Sequence, residues 1–148
     1  DLNSNKVIGG WPLAPAEGPN GLAYDAKKHL LFSGCDKMLA ISDTKSGKLI
    51  KTLPIGEGCD GVIYDPQTGC VYASNGEGNI TVINADNDGQ FSVVKSIVTQ
   101  RGARTIAVDP DSHLLYLPTA DFGKAVDDSS RPPVLNGSFH VIVVNPGN

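Results

Sequence analysis

Short apolar runs alternate along this chain with polar breaks rich in Gly, Asp, Asn and Pro. GLAY, HLLFSG, MLAIS and KLIKTLPI follow one another between residues 21 and 55. GVIY, CVYASN, ITVIN and FSVVKSIV do so between 61 and 98, and TIAV, LLYLPT and HVIVV come last. Runs of this length, with β-branched and aromatic residues and turn residues between them, are the signature of strands. No stretch keeps a helical period over three turns. The pattern predicts an all-β chain of short strands at regular spacing.

The runs also repeat. EGPNGLAYDAKKHLLFSG (17–34) aligns with EGCDGVIYDPQTGCVYAS (57–74) and with RGARTIAVDPDSHLLYLP (101–118), anchored on Gly18, Gly58 and Gly102 and on Asp25, Asp65 and Asp109. The three Asp are 40 and 44 residues apart, the period of a four-stranded propeller blade. Asp at the first position of each YDAKKH, YDPQTG or VDPDSH break, with Pro next in two of them, suits a type I turn. Gly47 and Gly89 mark the turn before each fourth strand.

Calling the four strands of a repeat A to D, the order is D, ABCD, ABCD, ABC. The leading D comes from DLNSNKVIGGWPL (1–13), which matches DTKSGKLIKTLPI (43–55) at Asp, Ser, Lys, Ile and Pro. The expected divisions are a closing D strand in 1–16, blades over 17–56 and 57–99, and an incomplete blade over 100–148. That last blade carries a polar insertion without strand pattern at 120–138. An unpaired D at one end and a blade lacking D at the other is how propellers close their ring. About three blades make an open arc. The chain is therefore expected to be part of a larger propeller, or half of a six-bladed ring made by two copies.

At 148 residues the chain has the length of one domain, and 17 Gly and 10 Pro fit its many turns. A net charge of −4 argues against a nucleic-acid or anionic-membrane surface. No apolar run approaches a membrane span. Residue 1 is not Met and no signal peptide is seen, so the numbering is expected to start at a processed or trimmed end.

VYASN (71–75) is close to the signature of the YVTN repeat, and the surrounding Gly, Asp-Pro, Gly and Val-Ile-Asn pattern resembles that repeat as well. The chain is similar over essentially its whole length to the C-terminal part of YncE-like propellers, with TQRGARTIAVDP and RPPVLNGSFHVIVV resembling their last blade. The resemblance implies a periplasmic, secreted or surface protein without a catalytic motif, acting as a binding or scaffold module. One bacterial member is associated with single-stranded DNA, which the acidic charge here does not support. Seven blades are usual in that family, against about three here.

Strand direction alternates within a blade, so the D-to-A and B-to-C connections share one face. That face is expected to gather Glu17, Asn20, Glu57, Asp60, Arg101 and Arg104 from the first set and Asp36, Lys37, Asn75, Glu77 and Asp121 from the second. Asn20, Asp60 and Arg104 hold equivalent places at the mouth of the central channel, and the change of charge there hints at a ligand site. The plain alternative is a solvated rim with local ion pairs. Glu17, Asp60 and Asn75 are the residues that would hold a calcium ion if one were bound, as lactonase-type propellers do by resemblance.

Asp25, Asp65 and Asp109 lie at the opposite face and read as turn residues. His29, His113 and His140 are not brought together by the pattern. No nucleotide, zincin or hydrolase motif occurs, and no cofactor is implied. Cys35 and Cys59 fall toward one face, so a disulfide between blades is conceivable. Cys70 reads as a small buried hydrophobe, and Trp11 as a packing residue between blades. The readings carried forward are a non-catalytic binding or scaffold propeller, a metal-dependent lactonase-like hydrolase, and a ring-completing structural unit. Self-association or the remainder of a larger propeller is the expected partner, with a protein or small-molecule ligand at the mouth.

Overall fold

A computed structural model describes residues 1, 3–85, 89–125 and 132–147. Its secondary structure is entirely β. β1 (Gly21–Asp25), β2 (Leu30–Gly34), β3 (Met38–Asp43) and β4 (Leu49–Pro54) form one antiparallel sheet in sequence order. β5 (Cys59–Asp65), β6 (Cys70–Asn75), β7 (Asn79–Asn84) and β8 (Ser92–Val98) form a second in the same order. β9 (Ala107–Val108), β10 (Leu115–Thr119) and β11 (His140–Val144) form a third, with three strands. The first strand of this last sheet is shorter than TIAV suggests. Both four-stranded sheets carry a bulge between their third and fourth strands, at Ile41/Ser42 and at Val82/Ile83.

Each sheet is a blade, and the blades stack face to face. Leu30, Phe32, Leu39, Ile41 and Leu53 of the first meet Val62, Val71, Ala73 and Ile83 of the second in one core. Tyr72, Ile80 and Val82 on the other side of the second blade meet Leu115 and Leu117 of the third. The alternation along β6 sends Val71 and Ala73 to one joint and Tyr72 to the other, as the pleat requires. Both joints are apolar because both faces of the middle blade are covered.

The inner strands approach closely, and two glycines permit it. A Cβ on Gly21 would lie 2.8 Å from the Val62 nitrogen, and one on Gly61 would lie 2.9 Å from the Arg104 carbonyl oxygen.

The three repeated Asp cap their turns as expected. Asp25 Oδ1 accepts from the Lys27 and Lys28 amides at 2.9 and 3.1 Å. Asp65 Oδ1 accepts from Gln67 at 3.0 Å and Asp109 Oδ1 from Asp111 at 3.0 Å.

Two expectations change. The segment 1–16 forms no strand among its described residues, and Val7 and Ile8 are 93% and 83% exposed. A fourth strand needs a third strand beside it, and among the described residues none lies free next to that segment. Its turn is nevertheless built. The Asp1 amine donates to the Lys6 carbonyl at 2.9 Å, Asn3 N–H to Asp1 Oδ1 at 3.0 Å and Ser4 Oγ to Asp1 Oδ2 at 2.5 Å. The turn after β3 does the same: Asp43 N–H to Lys48 O, Lys45 N–H to Asp43 Oδ1 and Ser46 Oγ to Asp43 Oδ2, at 2.9, 2.9 and 2.6 Å. Trp11 packs on that second turn at Gly47 rather than between two blades, and is half-exposed.

The insertion at 120–138 is not wholly irregular either. Its base is closed by an antiparallel bridge between Phe122 and Val134, with Gly123 N–H to Pro133 O at 2.8 Å and Leu135 N–H to Asp121 O at 2.9 Å. The tip of the insertion, 126–131, lies outside the described residues.

Candidate functional site at the channel mouth

Each inner strand is entered through a tight connection that closes on the loop of its own blade. Asn20 N–H donates to Gly34 O and Asp36 N–H to Glu17 O in the first blade; Gly76 N–H donates to Gly58 O in the second. These bonds bring the D-to-A and B-to-C connections together at one end, the arrangement the strand order demands.

Asn20, Asp60 and Arg104 sit at equivalent steps there, and the structure joins them into one line across three blades. Asn20 Nδ2 donates to Asp60 Oδ1 at 2.5 Å, and Arg104 Nε lies 2.7 Å from Asp60 Oδ2. Both carboxylate oxygens are engaged. The Arg104 side chain is 49% exposed and that of Asp60 is 23% exposed. An ion pair this open is screened and adds little stability. What it supplies is orientation. The Arg104 stem lies along Gly76, whose added Cβ would stand 3.4 Å from Arg104 Cδ. Asp60 takes the guanidinium through Nε, leaving its two terminal nitrogens as donors at the mouth.

The other expected residues do not join this line. Glu57 pairs with Lys37 at 2.7 Å on the exposed rim. Glu17 is exposed, and its backbone carbonyl is what the structure uses. Arg101 is exposed, with its backbone pressed to Gly78. Asp121 Oδ1 accepts from Gln100 Nε2 at 3.0 Å, and Gln100 Oε1 in turn meets His140 Nε2 at 3.1 Å, so these three brace the base of the insertion.

Asn75 is fully buried. Its Nδ2 lies 2.7, 3.0 and 3.2 Å from Asn79 Oδ1, Thr81 Oγ1 and Ala73 O, three acceptors that share its two N–H donors, and Glu77 accepts from Asn79 behind it. It fastens its own hairpin instead of facing a ligand. Glu17, Asp60 and Asn75 thus have separate occupations. Among the described residues, no group of three or more His, Cys, Asp or Glu side chains is placed to hold a metal ion.

Cys35 and Cys59 are both buried, and both are free thiols, as is Cys70. The disulfide conceived from their shared face is not formed. Burial, with the Asp60 charge and Cys35 nearby, pushes the Cys59 thiol up to about 12.

One pair was missed in the sequence. At the opposite face, His113 Nδ1 stands 2.7 Å from Asp65 Oδ2 of the preceding blade. Asp65 is 1% exposed. Burial alone would raise its pKa; the Gln67 amide, the Thr68 hydroxyl and His113 outweigh that and hold it below the usual carboxylate range. The available signal was the His four places after the Asp in the first and third turns, His29 and His113, where the second turn has Gly69; both His are left-handed at φ 58°.

With fold and site in place, the chain is a β-propeller arc, and similar solved structures agree. Hydrazine synthase of Kuenenia stuttgartiensis matches with a TM-score of 0.72 at 22% identity, over 84% of this chain and 36% of that one. Sqt1 of Saccharomyces cerevisiae matches with 0.67 at 12% identity, over 86% and 38%. A luciferin-regenerating enzyme matches with 0.59 at 16% identity, over 88% and 46%. The chain thus spans less than half of each of these proteins. No family model and no curated protein matches it.

Proposed function

We propose that this chain is a non-catalytic propeller module that binds an acceptor-bearing ligand, such as a carboxylate or an acidic loop, at the channel mouth. The observation that supports it is the Asn20–Asp60–Arg104 line, which holds an exposed guanidinium with its terminal donors unused. Membership of the YVTN repeat group and a periplasmic or secreted setting belong to the same proposal and rest on the VYASN-type pattern. The hydrolase reading is less favoured, because the residues it needs are engaged elsewhere.

The test is an NMR titration of 15N-labelled protein with sodium citrate as the carboxylate probe, with the Arg104→Ala variant as control. Shifts confined to residues near 20, 60 and 104, and abolished in the variant, support the reading. An unchanged spectrum at those residues, or calcium-dependent opening of a lactone by the protein, overturns it.

A further inference from the structure

Asn followed by Gly occurs three times in this chain, at 20–21, 75–76 and 136–137. The pair carries its own chemistry. The backbone nitrogen of the Gly can attack the side-chain amide of the Asn and expel ammonia, because Gly has no side chain to obstruct the ring that forms. The reaction needs a free amide, a free nitrogen and a backbone able to turn. The fold grants these to one pair and withholds them from the others.

Asn20 is held. Its Nδ2 donates to Asp60 Oδ1 at 2.5 Å, and a Cβ on Gly21 would lie 2.8 Å from the Val62 nitrogen, so the next blade clamps the backbone there. Asn75 is fully buried, with acceptors of Asn79, Thr81 and Ala73 around its Nδ2. The Gly76 nitrogen is itself occupied, donating to Gly58 O at 2.8 Å. Asn136 has none of these restraints. It is exposed, as is Gly137. Among the described residues, neither the Asn136 side chain nor the Gly137 N–H has a hydrogen-bond partner. A Cβ on Gly137 would meet nothing within 4 Å. The two residues are the centre of a turn from Leu135 to Ser138, with Gly137 left-handed at φ 75°. Ser138 N–H closes it on Leu135 O at 3.3 Å, a long bond that yields easily.

We infer that Asn136 is a self-modification site, converting in the folded protein to a succinimide and then to aspartate and isoaspartate, and that the isoaspartate form loosens the base of the insertion. In the first step the Gly137 nitrogen gives its proton to solvent base and bonds to Asn136 Cγ. The Cγ–Nδ2 bond breaks, and that nitrogen leaves as ammonia. In the second step water adds to either carbonyl of the ring, and the ring opens. Nothing is oxidised or reduced, and water is the only co-reactant. Opening at the backbone carbonyl of residue 136 leaves isoaspartate, whose main chain runs through Cγ and is longer by that carbon.

The added carbon falls where the insertion is tied. Ser138 Oγ accepts from Asp121 N–H at 3.0 Å and donates to Leu135 O at 2.6 Å. Leu135 N–H donates to Asp121 O at 2.9 Å. His140 Nδ1 meets Ser138 O at 2.7 Å. One serine thus joins both sides of the insertion to the start of β11, and it stands next to Gly137. Lengthening the chain between Leu135 and Ser138 moves Ser138 Oγ off its partners. The Asp121 N–H then loses its acceptor.

The test is ageing of the folded protein at mildly alkaline pH in 18O-enriched water, read by peptide mass spectrometry and by amide exchange of 15N-labelled protein. Ageing should place heavy oxygen at residue 136 with loss of ammonia, and leave Asn20 and Asn75 as amides. In the isoaspartate fraction the exchange protection of the Asp121 N–H should be lost. In urea all three Asn should convert, which shows that the fold makes the choice. Asn136→Gln, aged alike, should keep Asp121 protected. Asn136→Asp carries the charge without the added carbon and should keep it protected too. An Asn136 that stays an amide over the time in which the urea-unfolded chain converts would overturn the inference. So would conversion of Asn20 or Asn75 in the folded protein as fast as that of Asn136, or an isoaspartate form with Asp121 still protected.

Discussion

Replacing Gly21 with Ala isolates the close approach of the inner strands. The added methyl would stand 2.8 Å from the Val62 nitrogen, 2.9 Å from the Gly61 carbonyl carbon and 2.9 Å from Val62 Cγ2. Two of these are backbone atoms of the next blade, which cannot swing aside. Gly21 is not in the left-handed region, so the backbone itself would accept Ala. Restricting the unfolded chain would then stabilise the protein by about 0.4–1 kcal/mol. Overpacking works against this at about 1–3 kcal/mol. The net expectation is a loss of about 1–2 kcal/mol, or roughly 2–4 °C in melting temperature for each kcal/mol in a chain of this size. Gly9→Ala is the control, because nothing lies within 4 Å of its added Cβ. Urea midpoints and thermal melts of both variants give the comparison. If Gly21→Ala melts at or above the wild type, the inner joint is not packed as described, and the argument for glycine at 21 and 61 fails.

Asn75→Ala removes both N–H donors of a fully buried amide, leaves acceptors of its hairpin unpaired, and should cost about 1–3 kcal/mol in urea unfolding, with the mouth residues still responding to the citrate probe. Asp65 carries a lowered pKa, so the stability it supplies is complete above its unfolded value of about 3.9 and is lost as pH falls through the lower folded value. Asp65→Asn should therefore flatten the acid limb of urea midpoint against pH, and an unchanged limb would contradict the assignment. Cys59, pushed up to about 12, and buried Cys35 should resist Ellman's reagent at mildly alkaline pH until the protein unfolds, whereas partly exposed Cys70 reacts first. Equal rapid labelling of all three would refute this.

The strands were legible because their breaks are chemical. Asp25, Asp65 and Asp109 must cap turns, and the apolar runs between them are too short for anything but strands. CVYASN and HVIVV match β6 and β11 residue for residue. The mouth line was legible as position, since Asn20, Asp60 and Arg104 share one step of the repeat. Asn75 was not, because whether a residue at a strand end turns out or inward depends on acceptors such as Thr81 and Asn79 across the hairpin. The His113–Asp65 pair was hidden for a related reason. Each residue explains itself as a turn former, and only the stacking angle of two blades brings them together. Residues 1–16 show the limit from the other side: a sequence can carry the pattern of a strand, but pairing needs a neighbour.

Three lysines and a glutamine that cross between blades reach main-chain oxygens. Lys28 reaches Ala85 O at 3.1 Å, Lys51 reaches Phe91 O at 3.0 Å, Gln67 reaches Pro110 O at 2.7 Å, and Lys95 reaches Pro146 O. A carbonyl is present whatever residue bears it. A blade can therefore exchange its side chains without cutting the tether from its neighbour, and the tether sets no requirement that two positions change together. At these four joints the acceptor residue can vary freely, like links that share a common eyelet, whereas Asn20–Asp60, Asp60–Arg104 and Asp65–His113 tie the side chains of neighbouring blades together.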